Sequence, residues 1–322
     1  MTAGSPPRSA RTARSASSNG VGRAAPSWRI LLVFLAPAFL LYSVFLVWPL
    51  IQALIFSFFE WRGTVRGDFI GLENFTTLLN RFPLNEQLPR AFLHNFVFYI
   101  ATMVITVTLA LLFAILLQGK RRGRGFLRVA YVLPFMISPL VVGYIWSLIL
   151  NPTFGPVNSV LKDLGLDDLA LPWLGDPATA FPVVILVNAW YYLGFPMLLL
   201  AAGLAAIPED YAEAAEVDGA SPWQIFRHVT FPLLLPVFGT VAVLVFIYSF
   251  NVFGLVWAMG GVDGGPIGST DVLGLLFYRT AFDGGVNAFG TASALAVIMF
   301  IAIFGVSMTA RWWFGRLEEG LA

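Results

Sequence analysis

Long apolar runs separated by short polar stretches dominate the chain. A transmembrane helix needs about 20 mostly apolar residues, because the hydrocarbon core is about 30 Å thick and a helix rises about 1.5 Å per residue. Six stretches reach that length, roughly Ile30–Phe56, Phe92–Leu117, Val129–Leu150, Phe181–Leu204, Leu233–Trp257 and Phe289–Trp313. In lipid a helix satisfies its own backbone groups. The pattern predicts an all-α integral membrane protein of six transmembrane helices, with no soluble domain and no internal repeat.

The polar connections carry their own signals. Asn151–Pro156 and Gly260–Pro266 are turn chemistry, the first followed by a short helical pattern through Val160, Leu161 and Leu164. The connection between the fourth and fifth spans, about 205–232, reads as a helix-turn-helix. Pro208 suits a first turn, with Glu209 and Asp210 favourable at the positive end of the helix dipole. Good helix formers run to Val217, and Gly219 ends the helix because glycine accepts positive φ. Ser221, Pro222 and Gln224 then form an N-terminal capping pattern, followed by an apolar stripe at Trp223, Phe226 and Val229. Pro232 and Pro236 are expected to bend the chain back into the membrane.

Charge sets an orientation. If there are six spans, 13 of the 19 Lys and Arg fall on one side, five of them between Lys120 and Arg128. The positive-inside rule makes that side cytoplasmic, with both termini there. The first 27 residues are rich in Ser, Ala, Gly, Pro and Arg and contain no acid. A targeting peptide has that composition. A disordered cytoplasmic tail whose charge fixes orientation is the preferred reading, because an apolar span follows at once. The expected division is a tail at 1–28, a membrane domain at 29–316 and a short end segment at 317–322.

Composition removes several function classes. The chain is 58% hydrophobic and 11% charged, with mean hydropathy +0.80. A soluble domain carries roughly 25% charged residues. The net charge of +1 gives no footprint for nucleic acid. No cysteine and two histidines, His94 and His228, leave no thiolate chemistry and no His-rich metal site. The two lysines, Lys120 and Lys162, stand in no phosphate-binding glycine loop. The chain is therefore expected to hold no cofactor of its own and cannot itself supply ATP hydrolysis.

The 205–232 connection carries five acids, Glu209, Asp210, Glu213, Glu216 and Asp218, against Arg227 alone. Amphipathic segments that lie on lipid are usually basic on their polar face, so this segment points to a protein docking site. Glu213-Ala214-Ala215, Asp218-Gly219-Ala220 and Val229-x-Phe231-Pro232 resemble the EAA loop of permease subunits of binding-protein-dependent ABC importers. Val229 and Phe231 stand where Ile and Leu are usual. Leu35–Ala38, Trp48-Pro49, Gly71–Phe75, Val157–Gly165 and Gly264-Gly265-Pro266 with Ser269-Thr270 are similar to the sugar-importing subgroup.

The resemblance implies a bacterial inner-membrane protein with a cytoplasmic coupling loop docked on an ATPase, through Glu213, Ala214, Ala215, Asp218 and Gly219. It also implies a second, related permease, two ATPase subunits holding ATP and Mg²⁺, and an extracytoplasmic solute-binding protein. Polar residues expected inside the spans are pathway candidates: Asn188, Tyr191, Tyr192, Tyr248, Ser249, Asn251, Thr291 and Ser293, with Trp257. The competing reading is that such residues bond across helices as structural glue. An ion-coupled carrier is the rival function, but no ionisable residue stands clearly mid-span.

Overall fold

The computed structural model describes residues 28–119 and 123–319. The tail up to Ser27, the basic triplet Lys120–Arg122 and the last three residues lie outside it, and with them many of the charges used for orientation. Four helices are long and apolar enough to cross a bilayer: Leu32–Phe56, Leu84–Leu116, Pro222–Phe250 and Ala288–Arg316. Two more candidates are bent pairs, Arg124–Met136 with Pro139–Ile149 at 95°, and Pro177–Tyr192 with Gly194–Ala206 at 46°. The described residues thus hold four crossing helices, or up to six if each bent pair is one span.

Proline chemistry explains most of the irregularity. At the 95° bend Ile137 is extended (φ −84°, ψ 148°) and Ser138 precedes Pro139, whose ring disfavours helical geometry in its predecessor. Two π turns, Ser43–Val47 and Phe226–Thr230, end two residues before Pro49 and Pro232. There the amides of Trp48 and Phe231 bond Ser43 and Phe226, five residues back. The wide turn relieves the clash between each proline ring and the carbonyl four residues earlier. The expected bend at Pro232 and Pro236 therefore does not occur. Pro222–Phe250 is continuous, so the second helix of the helix-turn-helix is the start of a long span.

The fifth apolar stretch also ends earlier than its hydrophobicity implies. The helix stops at Phe250, and Asn251 turns its side-chain amide back to the Ile247 carbonyl (2.8 Å). Phe253 leaves helical geometry (φ −146°, ψ −70°), and Trp257 lies on a separate short helix, Gly254–Gly260. Trp257 is thus not part of the fifth span. Apolar periodicity cannot register a break made of apolar residues.

The chain divides into two compact units, one ending at Leu50 and the other beginning at Ile51. In the first, Phe34, Phe39 and Phe45 are 78%, 73% and 75% exposed, which suits lipid rather than water. The second is built on Leu84–Leu116, Pro177–Ala206, Pro222–Phe250 and Gly254–Gly260, with Phe98, Val107, Leu200, Val245 and Leu255 at its centre. Gly143 allows one tight crossing in this core. A β-carbon there would lie 2.7 Å from the Ala258 β-carbon and 2.8 Å from the Leu255 carbonyl oxygen.

The connecting segments add one small antiparallel hairpin, Phe59–Arg62 with Val65–Phe69, to an otherwise helical chain. They also carry short helices at Glu73–Asn80, Pro156–Asp163 and Leu273–Phe282. The polar residues of the sugar-subgroup motifs brace these loops. Buried Asn74 donates to the carbonyls of Ser57 and Phe59 and accepts from Asn287. Asn158 donates to the Leu171 carbonyl and accepts from the Trp173 indole (2.7 Å). The Thr270 hydroxyl donates to the Gly265 carbonyl at 3.0 Å. Asp271 and Arg279 form a 2.7 Å ion pair whose side chains are 1% and 13% exposed.

Candidate functional site

The acidic connection folds as an outward-standing elbow. Ile207 is extended and ends the preceding helix, and Asp210–Val217 forms the next one. Gly219 takes φ +80° and turns the chain. The Ser221 amide then donates to Gln224 Oε1 at 2.7 Å, one arm of the expected capping box. Tyr211, Ala214 and Val217 recur at three-residue spacing on the open face, and Val217 is 88% exposed. Glu213, Glu216, Asp218 and Gly219 are exposed, whereas Ala212 and Ala215 are half-buried toward the protein. Of the two alanines read as one packing surface, only Ala214 faces outward. The elbow thus presents an exposed apolar edge flanked by carboxylates.

A cavity of about 410 Å³ opens at the root of this elbow, lined by Gln118, Arg128, Pro208, Glu209, Ala212 and Thr230 among others. The segment following the Leu84–Leu116 helix and the acidic elbow therefore lie at the same end of the molecule.

The pathway candidates separate into two groups. Asn188, Tyr191 and Tyr248 come together. The Tyr248 hydroxyl donates to Asn188 Oδ1 at 2.6 Å, and Asn188 Nδ2 donates to Thr102 Oγ1 at 3.3 Å. Tyr191 donates to the Ile137 carbonyl at 3.3 Å, at the 95° bend. Tyr192 stacks on Tyr248 with ring centroids 3.9 Å apart and an interplanar angle of 10°. Asn188 is fully buried, so in this conformation the cluster ties three helices together. Asn251, Trp257 and Ser293 do not join it by any hydrogen bond among the described residues. Asn251 bonds its own helix, and Trp257 stacks on Phe253 (5.7 Å, 14°).

Reading the spans one at a time missed Thr102 and Asn95. Asn95 donates to the Ser249 carbonyl at 2.7 Å and accepts from the Leu273 amide at 2.8 Å. A polar residue within an apolar helix was the available signal for both.

A multi-helix membrane protein with kinked spans, a buried inter-helix polar cluster and an exposed acidic elbow has the build of a transport permease. Residues 106–319 match the model for the binding-protein-dependent transport system inner membrane component, and the chain belongs to that family. It is 30% identical over 298 residues to a probable ABC transporter permease protein of Pyrococcus horikoshii, covering 92% of this chain and 99% of that one. A probable starch degradation products transport system permease of Thermoanaerobacterium thermosulfurigenes is 31% identical over 274 residues, covering 85% of this chain and 90% of that one. A bacterial ABC transporter importing the acidic polysaccharide alginate shares the fold, with TM-score 0.76 and 23% identity over 89% of this chain and 96% of that one. The protein is thus an ABC importer permease subunit, and ATP hydrolysis is done by a separate ATPase.

Proposed function

We propose that this permease forms half of the translocation pathway for a sugar or oligosaccharide in a bacterial plasma membrane. It crosses six times, with both termini in the cytoplasm. Its partners are a second, related permease, two ATPase subunits that hold ATP and Mg²⁺, and an extracytoplasmic solute-binding protein. The starch-product permease among its relatives supports the sugar assignment. Asn188, Tyr191 and Tyr248 offer hydrogen bonds and aromatic faces suited to a sugar once the helices part.

The carrying observation is the elbow. An acidic helix holds Val217 88% exposed and joins, through Gly219 at φ +80°, a helix that runs unbroken to Phe250. Glu213 pairs with a basic group on the ATPase, while Ala214 and Val217 pack into its groove. Asp218 and Gly219 hold the angle of the elbow. Closure of the ATPase dimer on ATP then moves the elbow as a lever on the Pro222–Phe250 helix. The ATPase must bind one permease state more tightly than the other for this to do work.

The test is Glu213→Arg in the reconstituted complex with its solute-binding protein. Membrane insertion is expected to persist, while solute-stimulated ATP hydrolysis and uptake fall at least about tenfold, as for a reversed charge in a desolvated pair. Normal uptake by this variant would remove the coupling role. Uptake of a panel of labelled sugars separately tests the solute class.

A further inference from the structure

The loop that follows the Gly254–Gly260 helix holds its tip in a conformation that the residue there disfavours. Ile267 has φ +54°, and among the described residues it is the only non-glycine at positive φ. A β-branched side chain is an outlier in that region. Ile267 is also 88% exposed, so packing within the chain does not offset the strain. Such strain persists where the surroundings over-determine the backbone, and it clusters at functional sites.

The loop beneath this tip is braced on every limb. The Thr270 amide donates to the Gly264 carbonyl and its hydroxyl to the Gly265 carbonyl, both at 3.0 Å. The Ser269 amide donates to the Pro266 carbonyl at 3.0 Å. Arg279 ties the Val262 carbonyl to the Asp271 carboxylate, at 2.7 Å to each. A β-carbon on Gly268 would lie 3.1 Å from the guanidinium carbon of Arg90, so the loop rests on the start of the Leu84–Leu116 helix. From Arg90 to Leu116 that helix runs about 39 Å, more than the hydrocarbon core of about 30 Å. Gln118, just past its far end, lines the cavity at the elbow root. Ile267 and the elbow therefore face opposite sides of the bilayer.

We propose that Ile267 is a preset apolar anchor with which the permease docks its solute-binding protein. This rests on the importer reading above, which puts the ATPase at the elbow and the solute-binding protein on the opposite side. A rigid apolar tip suits a shaped protein pocket, because little conformational freedom is left to lose on binding. Fluid lipid demands no fixed backbone. Asp263 in the same loop and Arg90 under it are both exposed, and charged groups of this kind disfavour hydrocarbon. An apolar centre with a polar rim is the usual anatomy of a protein interface. The glycines, Pro266 and Ser269-Thr270 that bracket Ile267 thus hold one side chain outward.

The test uses the full transporter complex in lipid nanodiscs, titrated with its purified solute-binding protein. Ile267→Asn and Ile267→Gly both accept left-handed geometry and remove the apolar tip. The expected result is a Kd at least about tenfold weaker in both, as for loss of an interface anchor. The melting temperature of the complex stays level or rises, because the backbone strain is relieved. Ile267→Leu, apolar but unbranched at the β-carbon, keeps the affinity. A photoreactive group at position 267 crosslinks to the solute-binding protein. Unchanged affinity in Ile267→Asn and Ile267→Gly overturns the proposal. A crosslink to lipid would make the loop a membrane-dipping tip, and one to the second permease would make it a contact between permeases; either also overturns it. So does a lowered melting temperature in Ile267→Gly, which would show that the side chain packs within the transporter. Wild-type complex that binds no solute-binding protein would instead remove the importer reading itself, so the two failures are told apart.

Discussion

The Tyr248 hydroxyl reaches Asn188 Oδ1 at 2.6 Å, linking the Pro222–Phe250 helix to the Pro177–Tyr192 helix deep in the bundle. This is the shortest side-chain bond between two crossing segments in the polar cluster, and it lies on the helix that the elbow feeds. Inter-helix polar bonds inside membrane proteins average about 0.6 kcal/mol and reach about 1.7 kcal/mol. A double-mutant cycle of Tyr248→Phe and Asn188→Ala, read by thermal unfolding in detergent, should return a coupling energy in the upper part of that range. A coupling indistinguishable from zero would show that the two side chains part in solution. If the pair also touches solute, Tyr248→Phe raises the KM for uptake beyond what its stability loss explains.

The bilayer fold was legible because runs of apolar residues report their solvent directly. Its breaks were not. The 95° turn at Ile137–Ser138 and the stop at Asn251 fall within apolar sequence, where hydropathy is flat and only the proline and asparagine mark a boundary. The elbow was legible because Pro208, the acids, Gly219 and Ser221–Gln224 each specify local backbone. Which alanine faces outward depended on the packing beneath the helix. The Asn188–Tyr248 partnership joins positions 60 residues apart, and the motif asparagines Asn74 and Asn158 proved to be loop braces. Long-range pairing of this kind leaves no periodic trace in one sequence.

The buried Asp271–Arg279 pair carries a clear stability consequence. Arg279 also donates to the Val262 carbonyl at 2.7 Å, so one guanidinium anchors both ends of the glycine-rich loop. Removing one member of a buried pair leaves the other charge stranded, typically costing 3–5 kcal/mol, whereas removing both is far milder. Arg279→Met should therefore lower the melting temperature sharply. Arg279→Met combined with Asp271→Asn should recover more than half of the loss. A double variant no better than the single one would mean that the Val262 contact dominates.

At Gly143 the limitation is space. A β-carbon would press on both Ala258 and the Leu255 carbonyl, and backbone cannot give way as a flexible side-chain end can. Overpacking of this sort costs about 1–3 kcal/mol. Gly143→Ala should be destabilised by that amount, and adding Ala258→Gly should restore part of it, because the carbonyl contact remains. Full rescue would show that the helices separate readily, and no loss at all would show that they do not meet this closely.

Gly219 is the opposite case, since nothing lies within 4 Å of where its β-carbon would be. Any effect of substitution there comes from the backbone, held at φ +80°. Non-glycine residues pay roughly 1–2 kcal/mol for left-handed geometry, and asparagine pays less than alanine because its short polar side chain tolerates that region. β-Branched residues tolerate it worst. If the elbow acts as a lever, uptake should fall in the order Gly, Asn, Ala, Val, while expression and membrane insertion stay level. ATP hydrolysis without solute should change little along the series, because the ATPase itself is untouched. The ratio of solute moved to ATP consumed is the measurement that decides. A ratio that stays constant across all four residues would mean that the angle at Gly219 does not transmit force, and coupling would then have to run through another contact.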